Sequence, residues 1–299
     1  MSTPLSNRLL KPDVLARLGS LELIARTVVE GVTTGLHRSP HFGFSQEFAE
    51  YRAYNEGDDL RYVDWNVYAR TDRTYIKRFQ GETNTAITLL LDASASMGFG
   101  TPISKLDQAL YLCASLAYMA RKQHDALGLG IFDEQVRDFL APSARPDSLL
   151  RAMALLERTE AGSGTDILNA LESLRASMTR RGLVIVVSDA YANADELMSA
   201  LQPLVHGGQD VAFFHVLDEE EIEPSLTRIR ALKDLETEES VIVDPAFLQN
   251  GYRAKFQAHC ESVKNACQCI GADYSQVLTS DPLDSALQSY LRFRERRGR

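Results

Sequence analysis

The stretch ITLLLDASASMGFG, Ile87 to Gly100, decides how the rest of the chain is read. Its first half is an apolar, partly β-branched run that predicts a buried strand, and its apolar character stops at once at Asp92. Asp92, Ser94 and Ser96 follow at intervals of two in a loop loosened by Gly98 and Gly100. Oxygen donors so spaced suit one hard cation, so the chemistry is expected where this strand ends.

Working outward, LVIVVSDA (Leu183–Ala190) repeats the pattern and terminates in Asp189. ALGLGIFD and DVAFFHVLD read as further buried strands, and QVRDFL as a strand forming a hairpin after a turn at Asp133 and Glu134. Between them lie helical stripes: Lys105–Lys122, PDSLLRAMALLERTE opening at Pro146 and Asp147, a helix after Thr165, and ADELMSALQPLVHGG. A short strand ESVIVD, a long helix from about Pro245 to Ile270, a strand YSQVLT and a final helix SALQSYLRFRE complete the chain. Strand and helix alternation predicts an α/β fold, a doubly wound, mostly parallel, Rossmann-like sheet with helices on both faces. Ligands of such sheets sit beyond the carboxyl ends of strands where strand order reverses.

Ahead of this domain, residues 8 to 36 read as helix, with Pro12 near its start and Gly31 and Gly35 loosening its end. His37 to Glu82 is dense in aromatic and charged residues together, which predicts a compact module of short strands and turns, with NEGDD as a turn and YIKRFQGE as a strand. Arg52, Tyr54, Asp58, Asp59, Arg61, Asp64, Trp65 and Arg70 are its candidate docking residues; a salt-bridged scaffold accounts for them equally well. The expected division is therefore 1–83, an N-terminal helix plus β module, and 84–299, the α/β domain with its C-terminal helices.

Composition narrows the function. With 299 residues, 44% hydrophobic and 24% charged, the chain has ample core for a globular protein. A net charge of −9 argues against nucleic-acid binding, which needs a basic surface. No apolar run is long enough for an integral membrane segment, and MSTPLSNRLLKPD lacks a signal-peptide core, so the expected location is cytoplasmic. The arginine-rich YLRFRERRGR reads as a solvated, frayed helix end. Cys260, Cys267 and Cys269 lie near His259, but Cys269 falls about 160° around a helix from Cys267 and no C-x-x-C pair exists. Reduced structural thiols are expected there and at Cys113.

Three segments thus bring oxygen donors to strand ends or loops: Asp92 with Ser94 and Ser96, then Thr165, then Asp189. Two carboxylates and three hydroxyls suit Mg²⁺, Mn²⁺ or Ca²⁺ and suit zinc poorly. Helix capping by Ser94, Ser96 and Thr165, with backbone N–H bonds to the two aspartates, is the simpler structural alternative.

DASAS, GSGT and the SDA aspartate match in order the three parts of the metal-ion-dependent adhesion site (MIDAS) of von Willebrand factor A domains. The matching positions are Asp92, Ser94, Ser96, Thr165 and Asp189. Residues Glu47–Glu82 together with DLETEE, DPAFL, GYRAKF and SDPLDSALQSYL resemble, over nearly the whole chain, the family known as domain of unknown function 58. That resemblance implies a von Willebrand factor A-like fold and a divalent cation, Mg²⁺ first. It also implies partnership with a MoxR-type AAA+ ATPase in assembly, maturation or regulation of client proteins. The expected role is a non-enzymatic adaptor. The alternative is a metal-dependent phosphohydrolase with Asp92 as nucleophile, although Ser94 stands where a proton-shuttling carboxylate is usual. GSGTD lacks the lysine of a phosphate-binding loop, and no G-x-S-x-G elbow is present.

Overall fold

A computed structural model describes residues 12–16, 19–36, 48–54, 63–79, 85–162, 164–175, 177–178, 180–191, 193–224, 230–233, 240–243 and 251–297. Two compact units emerge, Leu36–Asn84 and a larger one made from Met1–Gly35 with Thr85–Arg299. The N-terminal helix, expected with the small module, therefore groups with the larger unit. The helix also comes in two pieces, a turn at Pro12–Leu15 and α1 at Leu21–Leu36. Gly19 separates them at φ 69°, a left-handed value that ends helical geometry. Gly31 and Gly35 are carried inside α1, whose Ile24, Ala25, Val28, Val29 and Val32 are buried.

In the small unit β1 (Phe48–Ala53) pairs antiparallel with β2 (Tyr75–Phe79). The module expected to be strands and turns also holds a helix, α2 (Trp65–Thr71). Asp64 starts it by accepting from the Asn66 and Val67 amides, and Asp72 in a left-handed conformation stops it. Such caps outweigh the modest helix propensity of WNVYART. NEGDD, with Asp58, Asp59 and Arg61, lies outside the described residues.

The larger unit is built on a six-stranded sheet. Its strands are β3 (Ala86–Asp92), β4 (Ala126–Phe132), β5 (Val136–Ser143), β6 (Gly182–Ser188), β7 (Asp210–Leu217) and β10 (Asp273–Leu278). They lie in the order β10-β7-β6-β3-β4-β5, all parallel except β5, which forms the expected hairpin with β4. β8 (Arg230–Lys233) and β9 (Ser240–Val243) pair apart from it as a two-stranded ribbon.

Helices α3 (Lys105–Lys122), α4 (Ser148–Glu157) and α9 (Leu283–Arg297) form one layer; α5 (Ile167–Arg175), α6 (Ala194–His206) and α8 (Arg253–Cys269) form the other. Burial on both faces is why β3 is buried at every position, alternate residues serving opposite layers. Leu90 joins Val184, Val186, Phe213, Leu171, Leu174 and Leu201 in the core beneath α5 and α6. This is a doubly wound α/β fold. From β3 the chain moves outward through β4 and β5, then returns to the other side of β3 with β6, so strand order reverses between β3 and β6.

The arginine-rich C-terminal stretch departs from expectation at Arg294. From α9 its guanidinium pairs with buried Asp125 at 2.5 Å and donates to the hydroxyl of buried Tyr290. Breaking a buried pair on one side strands the remaining charge. Arg294→Gln is expected to lower unfolding free energy by about 2–4 kcal/mol in urea titration, whereas Arg292→Gln, on the exposed side of α9, stays within about 0.5 kcal/mol.

Candidate functional site

Four parallel strands of the sheet run into aspartates at the carboxyl edge: Asp133 after β4, Asp92 ending β3, Asp189 after β6 and Asp218 after β7. Asp92 and Asp189 flank the reversal of strand order, because β3 and β6 pair in register from Ala86 with Gly182 to Leu91 with Val187.

Asp92 is fully buried. Its Oδ1 accepts from the Ser94 amide at 2.9 Å and its Oδ2 from the Ser188 hydroxyl at 2.6 Å. Ser94 and Ser96 meet through their hydroxyls at 3.1 Å, Ser94 just before and Ser96 within the short 3₁₀ turn Ala95–Gly98. The third segment is tied in by backbone: the Gly162 amide donates to the Ala93 carbonyl at 2.7 Å, laying the GSGT loop against the DASAS loop. A side chain at Gly162 would sit 2.5 Å from Asp133 Oδ2 and 3.2 Å from the Ala93 carbonyl, so the carboxylate of Asp133 would have to move aside. Thr165 follows in this loop, half-buried. The structure thus joins Asp92, Ser94 and Ser96 directly and brings the loop bearing Thr165 to the same strand end.

Asp189 stands directly after β6 beside Asp92 and has an ion pair that the sequence does not announce. Its Oδ2 is held by the ammonium of Lys105 at 2.7 Å, and the same ammonium reaches Glu221 Oε1 at 2.6 Å. Lys105 opens α3, after a capping box between Ser104 and Asp107, and has no solvent exposure. Glu221 comes from α7 (Glu219–Ile222), a single turn, where its Oε2 accepts from the Asp218 amide at 3.0 Å. The rings of Tyr191 and Phe99 lie 4.6 and 5.9 Å from the ammonium, a cation–π seat. The Tyr191 hydroxyl donates to Glu221 Oε1 at 2.9 Å.

Behind Asp189 the backbone is pinned. His215 Nε2 bonds the Asp189 carbonyl at 2.8 Å, and its Nδ1 meets the Tyr274 hydroxyl at 2.9 Å. A carbonyl only accepts, so Nε2 carries the proton and Tyr274 donates to Nδ1. His259 of α8 likewise donates to the Ala190 carbonyl at 3.0 Å. Ala190 stands at φ 50°, left-handed backbone that costs a non-glycine residue about 1–2 kcal/mol. Loss of water around buried His215 moves its pKa down to about 4, so it holds Asp189 as a neutral imidazole.

Electrostatics separate the two aspartates. Burial, and then the neighbouring Asp189 charge, push Asp92 up to about 7. Burial opposes the charge of Lys105, but Asp189 and Glu221 more than offset it and leave the ammonium above its ordinary range. Two of the three buried carboxyl groups, Asp189 and Glu221, therefore share one ammonium, and among the described residues no cationic side chain contacts Asp92. Among those residues no three His, Cys, Asp or Glu side chains gather as a metal cluster. Asp92, Ser94 and Ser96 fit a hard cation by donor chemistry and by uncompensated charge, while Asp189 Oδ2 is already engaged.

The sequence points to the aspartates and hydroxyls but not to Lys105, Ser188, Tyr191, His215 or Glu221, and it marks His259 only as a neighbour of the cysteines. Ser188 precedes Asp189 and carried the one available signal, a hydroxyl ending a buried strand. Of the cysteines, Cys113 and Cys267 are buried, and burial raises both thiols to about 12.

Fold and site define an α/β protein with a carboxylate and hydroxyl cluster at its strand-order reversal. The family model described as "Protein of unknown function DUF58" matches residues 50–266, and the chain belongs to that family. All five proposed oxygen donors lie inside the match. Uncharacterized proteins of Mycobacterium tuberculosis and Mycobacterium bovis are 28% identical over 274 residues, covering 90% of this chain and 86% of theirs. Similar solved structures include BatB from Bacteroides thetaiotaomicron, with TM-score 0.47, 18% identity, and coverage of 70% of this chain and 98% of that one. The VWA domain of SpRpn10 gives TM-score 0.40 and 11% identity over 69% of this chain and 94% of that one. The manganese-loaded TRAP protein of Plasmodium vivax gives 0.42 and 14% over 71% and 74%. At these scores the likenesses stand as similarity, and no function is carried across from them.

Because Asp92 keeps its proton to about pH 7 while the unfolded chain releases it near pH 4, this residue's contribution to stability is full below pH 4 and falls as pH rises toward 7. Asp92→Asn lacks that loss. In chelator, the melting temperature of Asp92→Asn relative to wild type is expected to rise between pH 4 and 7 and level off above, as read by calorimetry.

Proposed function

We propose that the chain is a non-enzymatic protein-interaction adaptor that contacts its partner through a divalent cation, Mg²⁺ first and Mn²⁺ or Ca²⁺ as substitutes. Asp92, Ser94 and Ser96 would hold the ion, with Thr165 and Asp189 completing the set. The observation that carries this is Asp92 itself, a fully buried carboxyl group at the strand-order reversal whose near neighbours are two hydroxyls, an amide and a second carboxylate. When bound, the ion supplies an open ligand position for an acidic side chain of another protein. The chain's own residues orient the donors: Ser188 and the Ser94 amide fix the Asp92 carboxyl plane, and His215 fixes the backbone at Asp189.

The partner proposed from the family resemblance is a MoxR-type AAA+ ATPase, with client proteins presented for assembly, maturation or regulation. In the small unit, Trp65 and Tyr68 of α2 pack edge to face with 59% and 40% of their surfaces exposed, an aromatic pair suited to a second contact. No helix among the described residues is long and apolar enough to cross a membrane. The phosphohydrolase reading is disfavoured, because both oxygens of Asp92 are engaged by donors and the position two residues on is Ser94.

Two outcomes test this reading. Isothermal titration of Mg²⁺, Mn²⁺ and Ca²⁺ into chelator-treated protein should show binding lost in Asp92→Ala and strengthened when the ATPase is present; binding unchanged by the substitution rejects the site. Trp65→Ala with Tyr68→Ala should weaken ATPase capture about ten-fold or more while leaving ion affinity unchanged, as measured by surface plasmon resonance.

A further inference from the structure

Lys105 brings to this site a positive charge that a hydroxyl and carboxylate motif does not foresee. Its ammonium is wholly buried, seated between Asp189 Oδ2 and Glu221 Oε1 and faced by the rings of Tyr191 and Phe99. The chain is bent to put it there. Gly100 adopts φ 121°, where a side chain would stand 2.7 Å from the Ile103 carbonyl. The Lys105 amide then bonds back to the Phe99 carbonyl at 2.8 Å, so α3 begins directly over the end of β6.

We infer that Lys105 is a tethered counter-cation that competes with an external divalent ion for Asp189. This rests on the proposed ion site at Asp92, Ser94 and Ser96, and it assigns the residue that sets how tightly that site binds. A structural ion pair needs one carboxylate, whereas Lys105 has two. Glu221 supplies a second seat, so the ammonium stays paired when Asp189 turns toward an ion. Glu221 is itself anchored from the other side, through the Asp218 amide on Oε2 and the Tyr191 hydroxyl on Oε1. Lysine suits this role better than arginine, since an ammonium on a flexible stem can shift between two acceptors without losing a fixed fork geometry. The ion and Lys105 repel one another across the buried carboxylate of Asp189, and each 1.4 kcal/mol of that repulsion lowers ion affinity ten-fold. The isolated protein is then a weak ion binder, and an acidic side chain from a partner, adding negative charge at the ion, restores affinity.

The pairing gives opposite signs to two substitutions. Glu221→Gln leaves Lys105 with Asp189 alone, which tightens that grip. Lys105→Met combined with Glu221→Gln leaves the formal net charge unchanged and frees Asp189. The experiment is titration of Mn²⁺ alone into chelator-treated full chain, with calorimetric binding and circular dichroism to confirm folding. Expected is Mn²⁺ affinity about ten-fold weaker than wild type in Glu221→Gln and about ten-fold or more tighter in the double variant. Mn²⁺ binding in the double variant but not in wild type also supports the inference. If wild type binds through Asp92 and both variants bind equally or more weakly, Lys105 is a structural group only; the ion site survives and the competition does not. If neither wild type nor double variant binds Mn²⁺ at millimolar concentration, the ion site fails and takes this inference with it. Should the double variant not fold, wild type decides by nuclear magnetic resonance of the Lys105 ammonium. Buried and doubly paired, its hydrogens are expected to exchange slowly in chelator, and saturating Mg²⁺ should speed that exchange; binding of Mg²⁺ without such change overturns the competition.

Discussion

Two carboxyl groups ending neighbouring strands, both out of water, impose the constraint that the larger unit is arranged to meet. Parallel pairing of β3 with β6 brings Asp92 and Asp189 close enough for each to oppose the ionisation of the other. An uncompensated buried charge is among the most costly features a fold can carry. The answers differ on the two sides. Asp92 is met by Ser188 and the Ser94 amide, neutral donors that soften its charge without cancelling it. Asp189 is met by a full ammonium, and that choice draws in further structure: the bend at Gly100, the capping box that starts α3, and the turn that delivers Glu221.

Backbone strain is placed with the same economy. Ala190 holds a left-handed conformation directly after Asp189, and two histidines from different elements grip the carbonyls on either side of that strained link. Such strain persists where surroundings over-determine it. His215 also reaches Tyr274 on β10, and Tyr252 bonds the Glu221 carbonyl at 2.8 Å. The orientation of Asp189 is therefore tied to β7, β10, α8 and the turn bearing Glu221, so a change in what holds its carboxylate is felt across several elements.

Much of this was legible in the residues. Apolar runs that stop at Asp92 and Asp189 gave the strands, their ends and the α/β alternation, because strands covered on both faces lose the polar alternation of exposed ones. The hairpin at Asp133 was equally plain, from the turn between two short strand patterns. What periodicity could not supply was long-range pairing. Lys105 reads as an ordinary first-turn lysine, and its partners lie 84 and 116 residues away. Arg294 sits in a stretch whose composition suggests solvent, yet one of its arginines reaches a buried aspartate 169 positions earlier in sequence, Asp125. The helix α2 was missed because its stability comes from Asp64 and Asp72 at its ends, not from its interior.

The four aspartates along the carboxyl edge show where chemistry is concentrated. Asp133 accepts from the Gln135 amide and faces Arg137 at 3.6 Å. Asp218 caps the Glu219–Ile222 turn and accepts from the Thr279 hydroxyl at 2.6 Å. Asp189 has Lys105. Three of the four are thus committed to turns, caps or an ion pair, and each would be expected in a scaffold with no ligand at all. Asp92 differs in being the most deeply buried and in having its charge opposed rather than answered by its surroundings. Mere capping would account for its bond to the Ser94 amide, but a scaffold would gain by placing an asparagine there. A carboxyl group at the reversal of strand order, with the Ser94 and Ser96 hydroxyls together beside it and no cationic side chain against it among the described residues, is the ground on which an ion is proposed there.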